Sequence, residues 1–327
     1  MRKAAFLYNP ASGRALKRRL DDVESAAAVV RAAGVEVVVT PTRAAGSAGE
    51  QAREAVAAGC DAVFACGGDG TVHEALQGMI EAGGAAALGI IPLGTGNALA
   101  LDLGIPNHPV KAAKMQVAAE PRRLAAGKME CQGFDGRPAS RFFTVMAGTG
   151  PNALLVYAMA AGWKERYGMA AYALQAGLSW ATARFAPFEV EFVDAASGER
   201  RRQVVAEMLA ARVSDFPFPL RRVAPGAALT RDDMRVILFR PPVRLRYLAH
   251  LSGAMVGIQW KVPGVELVYA TEITCRPLEP APDASPGASN EKPARVFAEA
   301  DGELLGTLPA RFSMLPNAFT LLVPRGR

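Results

Sequence analysis

The chain is poor in the residues that build metal and thiol chemistry, with 4 cysteines and 3 histidines among 327 residues. Cys60, Cys66, Cys131 and Cys275 form no CxxC pair, and no histidine cluster joins them. That pattern argues against a zinc site and a disulfide framework and leaves reduced cytosolic thiols as the expectation. Aromatics are also scarce, at 7%, and none interleaves with a basic stripe. The basic residues come as scattered pairs, Arg18-Arg19, Arg122-Arg123, Arg201-Arg202 and Arg221-Arg222, so nucleic acid is not an expected partner. Long apolar runs are missing too. No stretch reaches the roughly 18–20 residues of a spanning helix. The nearest, Tyr167–Ala183, contains Gln175 and follows Lys164-Glu165-Arg166, and reads as a buried soluble helix. After Met1-Arg2-Lys3 the apolar run Ala4–Tyr8 is too short for a signal peptide. The expected location is the cytosol, at most peripheral to a membrane.

What is present is a globular composition, 50% hydrophobic and 21% charged, of a length that suits two domains. The formal net charge is +6, which permits a phosphate-bearing small molecule or an anionic membrane surface as partner. The first third alternates strand and helix signals. Strands are predicted at 4–8, 35–39, 62–66 and 86–91. Helices are predicted at 15–33, 49–58 and 71–81, then from Asn97 and over 110–119. Gly34 and Gly59 close the first two helices. This rhythm predicts a parallel sheet with helices on its faces.

The rhythm changes after about residue 122. Strands are predicted at 141–147, 188–193, 203–211, 234–239 and 265–274, interrupted by one helical stretch over 153–185. This half reads as an antiparallel sandwich or barrel. Residues 277–293 are rich in Pro, Ala and Ser and read as a loop.

Three glycine-rich turns carry the chemistry. Gly67-Gly68-Asp69-Gly70-Thr71 lies between a strand and a helix. Its glycines let the backbone approach a ligand closely, and the helix start favours phosphate. Thr71 is placed to cap that helix or to donate to a phosphate oxygen. Pro92-Leu93-Gly94-Thr95-Gly96-Asn97 follows the next strand, and Asn9-Pro10-Ala11-Ser12-Gly13 follows the first. Alone, any one is a plain turn. Together they put phosphate-type loops at the carboxyl edge of one sheet, where ligands of open α/β sheets bind. Neither GxGxxG after the first strand nor GxxxxGK[ST] occurs, which argues against a Rossmann or P-loop site. A carboxylate at Asp69 would repel phosphates unless Mg²⁺ lies between them.

Far along the chain, Asp301-Gly302-Glu303 sets two acids about a glycine. It reads either as a hairpin turn with solvated acids or as the source of a base for a substrate hydroxyl. His73 stands two positions after the Gly-Gly-Asp-Gly-Thr turn, while His108 and His250 are isolated.

These motifs, with Val72-His73-Glu74 continuing the second turn, resemble those of the diacylglycerol kinase family, related to sphingosine kinases, and its bacterial lipid kinases above all. The similarity runs nearly the full length. It implies an α/β fold of two domains: residues 1–122 with 312–327 as an ATP-binding domain with a parallel sheet, and residues 123–311 as an antiparallel β-sandwich domain for the lipid. It implies ATP and Mg²⁺ as cofactors. Asn9, Pro10, Ser12, Gly13, Thr42, Gly67, Gly68, Asp69, Gly70, Thr71, His73, Glu74, Gly94, Thr95, Gly96 and Asn97 would hold the nucleotide. Asp69 would serve the Mg²⁺–ATP, and Asp301 and Glu303 would supply the base and its partner, with Glu303 favoured to take the proton. The expected partners are a lipid substrate, the inner membrane face by peripheral contact, and a second copy of the chain.

The sequence departs from the family pattern at several positions. His73 and Ala98 stand where Asn and Asp are frequent. Asp232-Asp233-Met234-Arg235-Val236 lacks the glycine and later aspartate of a segment that binds structural Mg²⁺. Asn152 replaces an acid within Gly148-Thr149-Gly150-Pro151-Asn152-Ala153, which favours a neutral lipid head group. The rival expectations are a catalytically silent lipid- or nucleotide-binding protein and a kinase of a soluble substrate such as NAD.

Overall fold

The computed structural model describes residues 1–10, 16–151, 153, 186–217, 223–240, 249, 253, 262–278 and 295–326. The helical stretch expected over 153–185, apart from Ala153, lies outside the described residues, as does 279–294 of the expected loop.

Strands β1 (Lys3–Tyr8), β2 (Glu36–Pro41), β3 (Ala62–Gly67) and β4 (Ala87–Pro92) form a parallel sheet in the order β4-β3-β1-β2. β3 and β4 are buried along their whole length, as their unbroken apolar runs require of strands covered on both faces. Helices α1 (Leu16–Ala32), α2 (Ala48–Ala57), α3 (Asp69–Glu81), α4 (Ala98–Asp102) and α5 (Pro109–Val117) follow. The pairings Tyr8↔Pro41, Tyr8↔Cys66 and Gly67↔Pro92 set the carboxyl ends of all four strands level. The loops that leave them therefore share one edge.

The remaining strands are β5 (Glu120–Gly133), β6 (Pro138–Phe143), β7 (Met146–Thr149), β8 (Phe188–Val193), β9 (Arg200–Val205), β10 (Glu207–Ala211), β11 (Met234–Phe239), β12 (Val265–Ala270), β13 (Glu272–Pro277), β14 (Phe297–Ala300) and β15 (Glu303–Val323). They pair antiparallel in two runs. One is β12-β11-β10-β7-β14-β15, and in the other β9-β8-β13 and β6-β5 flank β15. Phe188, Val190, Ile273 and Cys275 from one layer meet Met208, Ala210, Val236 and Leu238 from the other in a single core, as in a sandwich. β15 belongs to both layers and also runs parallel to β4 at Thr320 and Leu321. Phe319, Leu321 and Leu322 thereby join the core of the parallel sheet.

Three of the predicted strands are split in two. The run 141–147 breaks between Phe143 and Met146, where the N–H groups of Thr144, Val145 and Met146 turn to Asp301 instead of a neighbouring strand. The runs 203–211 and 265–274 break at Ala206 and Thr271, where the chain passes from one layer to the other. β5 has no counterpart in the sequence reading. Its start, Glu120-Pro121-Arg122-Arg123, looks like a turn, and its pairing with β15 is made with residues far along the chain. Such long-range pairing overrides local preference.

Candidate active site

Helix α3 begins two residues earlier than expected. Gly68 is its N-cap in extended conformation, Asp69 is its first residue, and Thr71 sits inside the first turn. Thr71 therefore does not cap the helix. Its buried side chain packs where a Cβ on Gly67 would stand, which explains the glycine there. Gly68 and Gly94 face each other so closely that a Cβ on Gly94 would overlap the Gly68 Cα. The two turns are thus in direct contact, and Leu93 N–H donates to Gly67 C=O at 2.8 Å.

The Gly94–Asn97 turn is closed by Asn97, which has a left-handed backbone (φ 54°). Its side-chain amide accepts from Gly94 N–H at 3.1 Å and donates to Gly94 C=O at 2.9 Å. Asp69 ties this turn to α3, since its Oδ1 accepts the Ala98 N–H at 2.7 Å. Burial pushes the Asp69 carboxyl above its ordinary value, partly offset by the N–H groups of Ala98, Asn97 and Leu99. Gly70, Thr95 and Gly96 are exposed along the same edge. Asn9 and Thr42 lie on it too, with N–H bonds to Cys66 C=O and Tyr8 C=O at 3.4 and 2.8 Å. Pro10 follows Asn9 there, while Ser12 and Gly13 lie outside the described residues.

Glu74 faces elsewhere. Its two carboxylate oxygens accept the N–H groups of Gly46 and Ala48 at 2.9 and 3.1 Å, capping the start of α2. It braces the neighbouring helix and does not point along the turns. His73 is also placed differently from expectation. It is buried and meets the acidic motif, with Nδ1 3.1 Å from Asp301 Oδ2 and Nε2 3.9 Å from Glu303 Oε2.

Asp301 and Gly302 form the tight turn between β14 and β15, both with positive φ (47° and 85°), as a two-residue hairpin of this type requires. The turn is as read, but its acids are not both solvated. The Asp301 side chain is 4% exposed. It accepts the N–H groups of Thr144, Val145 and Met146, each at 2.9 Å. Glu303 is 35% exposed and its Oε2 accepts from Arg141 Nη2 at 2.6 Å. Of the two, Glu303 is the more exposed.

The turns and the acidic motif meet through α3. Asp69 and His73 are four residues apart on that helix and so share a face. The charge of Asp301 acts on Asp69. Gln77, one turn further, clamps α3 to β6 by donating to Phe142 C=O at 2.9 Å and accepting Phe142 N–H at 3.0 Å. Sequence reasoning missed Gln77 and Arg141, because nothing local marks a polar residue on a strand edge as a partner of Glu303.

It also missed Arg212, which has a signal: one arginine inside the apolar run Met208–Val213. The residue is 1% exposed. Its guanidinium donates to the C=O groups of Ala125, Leu229, Arg231 and Asp233 at 2.6–3.1 Å. Burial brings its pKa down to about 10. The segment Asp232–Val236, which departs from the structural Mg²⁺ pattern in sequence, does not fit a metal in the structure either. Asp233 is held by Arg231 at 2.6 Å through both oxygens. The main-chain oxygens around it already face a cation, that of Arg212. Among the described residues no group of three His, Cys, Asp or Glu side chains could hold a metal ion.

All four cysteines are buried and free. Burial pushes Cys131 up to about 11 and Cys275 up to about 12, so neither is a nucleophile at neutral pH.

Residues 3–129 match the diacylglycerol kinase catalytic domain, and residues 146–323 match the YegS C-terminal NAD kinase beta sandwich-like domain. The chain belongs to the diacylglycerol kinase family. It is 35% identical over 313 residues to a probable lipid kinase YegS-like protein of Chromohalobacter salexigens, covering 94% of this chain and 90% of that one. It is 32% identical over 194 residues to a diacylglycerol kinase of Bacillus subtilis. That match spans 60% of the Bacillus protein's length. The fold matches the crystal structure of a putative diacylglycerol kinase from Bacillus anthracis with a TM-score of 0.72, over 99% of this chain and 97% of that one, at 19% identity. The mixed sheet, parallel in its N-terminal strands and antiparallel in its C-terminal strands, is as expected. Among the described residues no helix is long and apolar enough to cross a membrane.

Proposed function

We propose that this kinase-family chain transfers the γ-phosphoryl group of ATP to a hydroxyl of a diacylglycerol-like or sphingoid-like lipid. The observation that carries the reading is the contact between the Gly68 and Gly94 turns, with Asp69 joining them and Glu303 reachable near α3. Turns that expose N–H groups at helix starts suit phosphate oxygens. Glycine at 68 and 94 lets the two turns touch, and glycine at 67 makes room for Thr71 behind them. Asp69 fits a cation beside it, being a carboxylate whose charge burial disfavours. Asp69 would hold a Mg²⁺ brought with the nucleotide, which would supply positive charge against the charge developing on the phosphates.

The acceptor hydroxyl would give its proton to Glu303 as its oxygen bonds to phosphorus. Such a base mainly orients the hydroxyl, because the transition state is loose. Asp301, saturated by main-chain N–H groups, fixes the turn from which Glu303 projects. The lipid would be met at the inner membrane face, by a protein of net charge +6 that binds the surface peripherally and works alone or as a homodimer.

The experiment is phosphoryl transfer by the full chain from γ-labelled ATP with Mg²⁺ to a broad lipid extract in mixed micelles. A labelled lipid supports the reading, and a complete lack of label in every lipid refutes it. A second reading, a kinase of a soluble substrate such as NAD, is supported by the description of the matched C-terminal domain as NAD kinase-like. NAD phosphorylation in the same assay would decide for it.

A further inference from the structure

Asp301 fixes the hydrogen-bonding direction of His73. Its carboxylate lies 3.1 Å from Nδ1 and only accepts, so the ring proton sits on Nδ1 and Nε2 is bare. Gln77 stands beside the ring, held by Phe142 N–H and C=O, with its amide nitrogen 3.5 Å from both His73 C=O and Nε2. His73 therefore presents a lone pair to Glu303.

Glu303 Oε2 and His73 Nε2 stand 3.9 Å apart, too far for a hydrogen bond. Two acceptors face each other there, and no proton is available to join them. The relationship changes once Glu303 has taken up a proton, because its carboxyl O–H then has an acceptor in Nε2. We propose that His73 is a positioning residue for the proton acceptor Glu303, aligned by Asp301 and Gln77 to receive a hydrogen bond that exists only after the acceptor hydroxyl has lost its proton. The reading rests on the lipid kinase function proposed above. An interaction made late and missing in the ground state raises turnover without tightening substrate binding.

The proton balance is simple. The acceptor oxygen bonds to the γ-phosphorus as the bond from that phosphorus to the bridging oxygen breaks and ADP leaves; the hydroxyl proton passes to the Glu303 carboxylate and stays on that carboxyl, now bonded to Nε2, until product leaves. Among the described residues the charged groups around the ring are Asp301, Glu303 and Arg141, the last on Glu303 Oε2.

The test has two arms. The first compares wild type with His73→Asn, which keeps a donor for Asp301 but has no titratable ring. The assay uses Mg–ATP and mixed micelles carrying diacylglycerol and sphingosine. The expected result is a kcat lower by about a hundred-fold, the low end for a positioned proton-transfer group. KM for ATP is unchanged. An unaltered kcat would overturn the proposal. The second arm reads the ring nitrogens of the wild-type protein by ¹⁵N NMR, with His73→Asn or His73→Gln identifying the signal. A protonated Nδ1 and bare Nε2 at neutral pH are expected, and the opposite tautomer overturns the proposal even if no His73 variant folds, because His108→Gln and His250→Gln then identify the signal by elimination. Transfer to neither lipid would sink the functional reading, while the tautomer would still judge this one.

Discussion

Asp69 at the start of α3 accepts the N–H of Ala98 at the start of α4, at 2.7 Å. One carboxylate thus fastens together the two glycine turns that would cradle a nucleotide. The side chain has two separable duties, a hydrogen bond that holds the turns and a charge available to a cation.

Substitution separates those duties. Asp69→Asn keeps an oxygen for Ala98 and removes the charge. It should lose phosphoryl transfer yet melt at or above the wild-type temperature at neutral pH, because burial disfavours the wild-type charge. Asp69→Ala loses the bond as well and should cost about 1 kcal/mol, as for a lost helix cap. Thermal unfolding of both variants beside the labelling assay checks this. Equal stability of the two variants would contradict the fastening role.

Asp301 and Glu303 should also part company. Asp301→Ala leaves the N–H groups of Thr144, Val145 and Met146 without their acceptor. A buried unsatisfied donor costs about 1–3 kcal/mol, so this variant should be destabilised by roughly 3 kcal/mol or more in denaturant unfolding. Glu303→Ala removes a side chain that is 35% exposed and held only at its tip by Arg141. It should abolish transfer with little change in unfolding midpoint. The reverse order of stabilities would count against the assignment.

Glu299 gives the fold a pH dependence with a definite sign. It is buried, its Oε2 accepts Gly302 N–H at 3.1 Å, and its Oε1 has no partner among the described residues. Burial, with a smaller push from Asp301 and Glu207, raises its pKa to about 8. Between its ordinary value and about 8 the native state holds a proton that the unfolded chain has released. Stability from this group therefore falls as pH rises through that window. Glu299→Gln removes the slope. Urea unfolding at pH 5 and pH 8 should show a smaller loss of stability in the variant than in wild type.

The parallel half was legible because each of its strands carries its own signal. Unbroken apolar runs such as Ala62–Cys66, followed by glycine turns, announce strand and loop with no information from elsewhere. The antiparallel half was legible only in part. β8 and β11 stand where expected, but the breaks at Thr144, Ala206 and Thr271 arise from a distant carboxylate or a change of layer. The site divides the same way. The turns were readable as turns, whereas the reassignment of His73 and Glu74 depends on which way successive residues of α3 face. His73 turns to Asp301, and Glu74 turns to α2. That helix begins at Asp69, and a start read two residues later hides this geometry.

The buried guanidinium of Arg212 bears on metal dependence. Four main-chain oxygens from Ala125, Leu229, Arg231 and Asp233 converge on it, and a fixed side-chain cation satisfies them at any metal concentration. Stripping the nucleotide-free protein with EDTA should therefore leave its melting temperature unchanged, while transfer from ATP stops for want of Mg²⁺. Arg212→Met would leave those oxygens unsatisfied in the interior. At about 1 kcal/mol or more for each, it should destabilise the protein by roughly 4 kcal/mol. Ser214 and Asp215, whose N–H groups bond Asp102 of α4, lie directly after Arg212, so the loss should reach the Gly94–Asn97 turn and weaken nucleotide binding as well. Melting curves with and without EDTA decide the first point. A drop in the melting temperature on chelation would mean that a metal, and not Arg212, holds this corner of the fold.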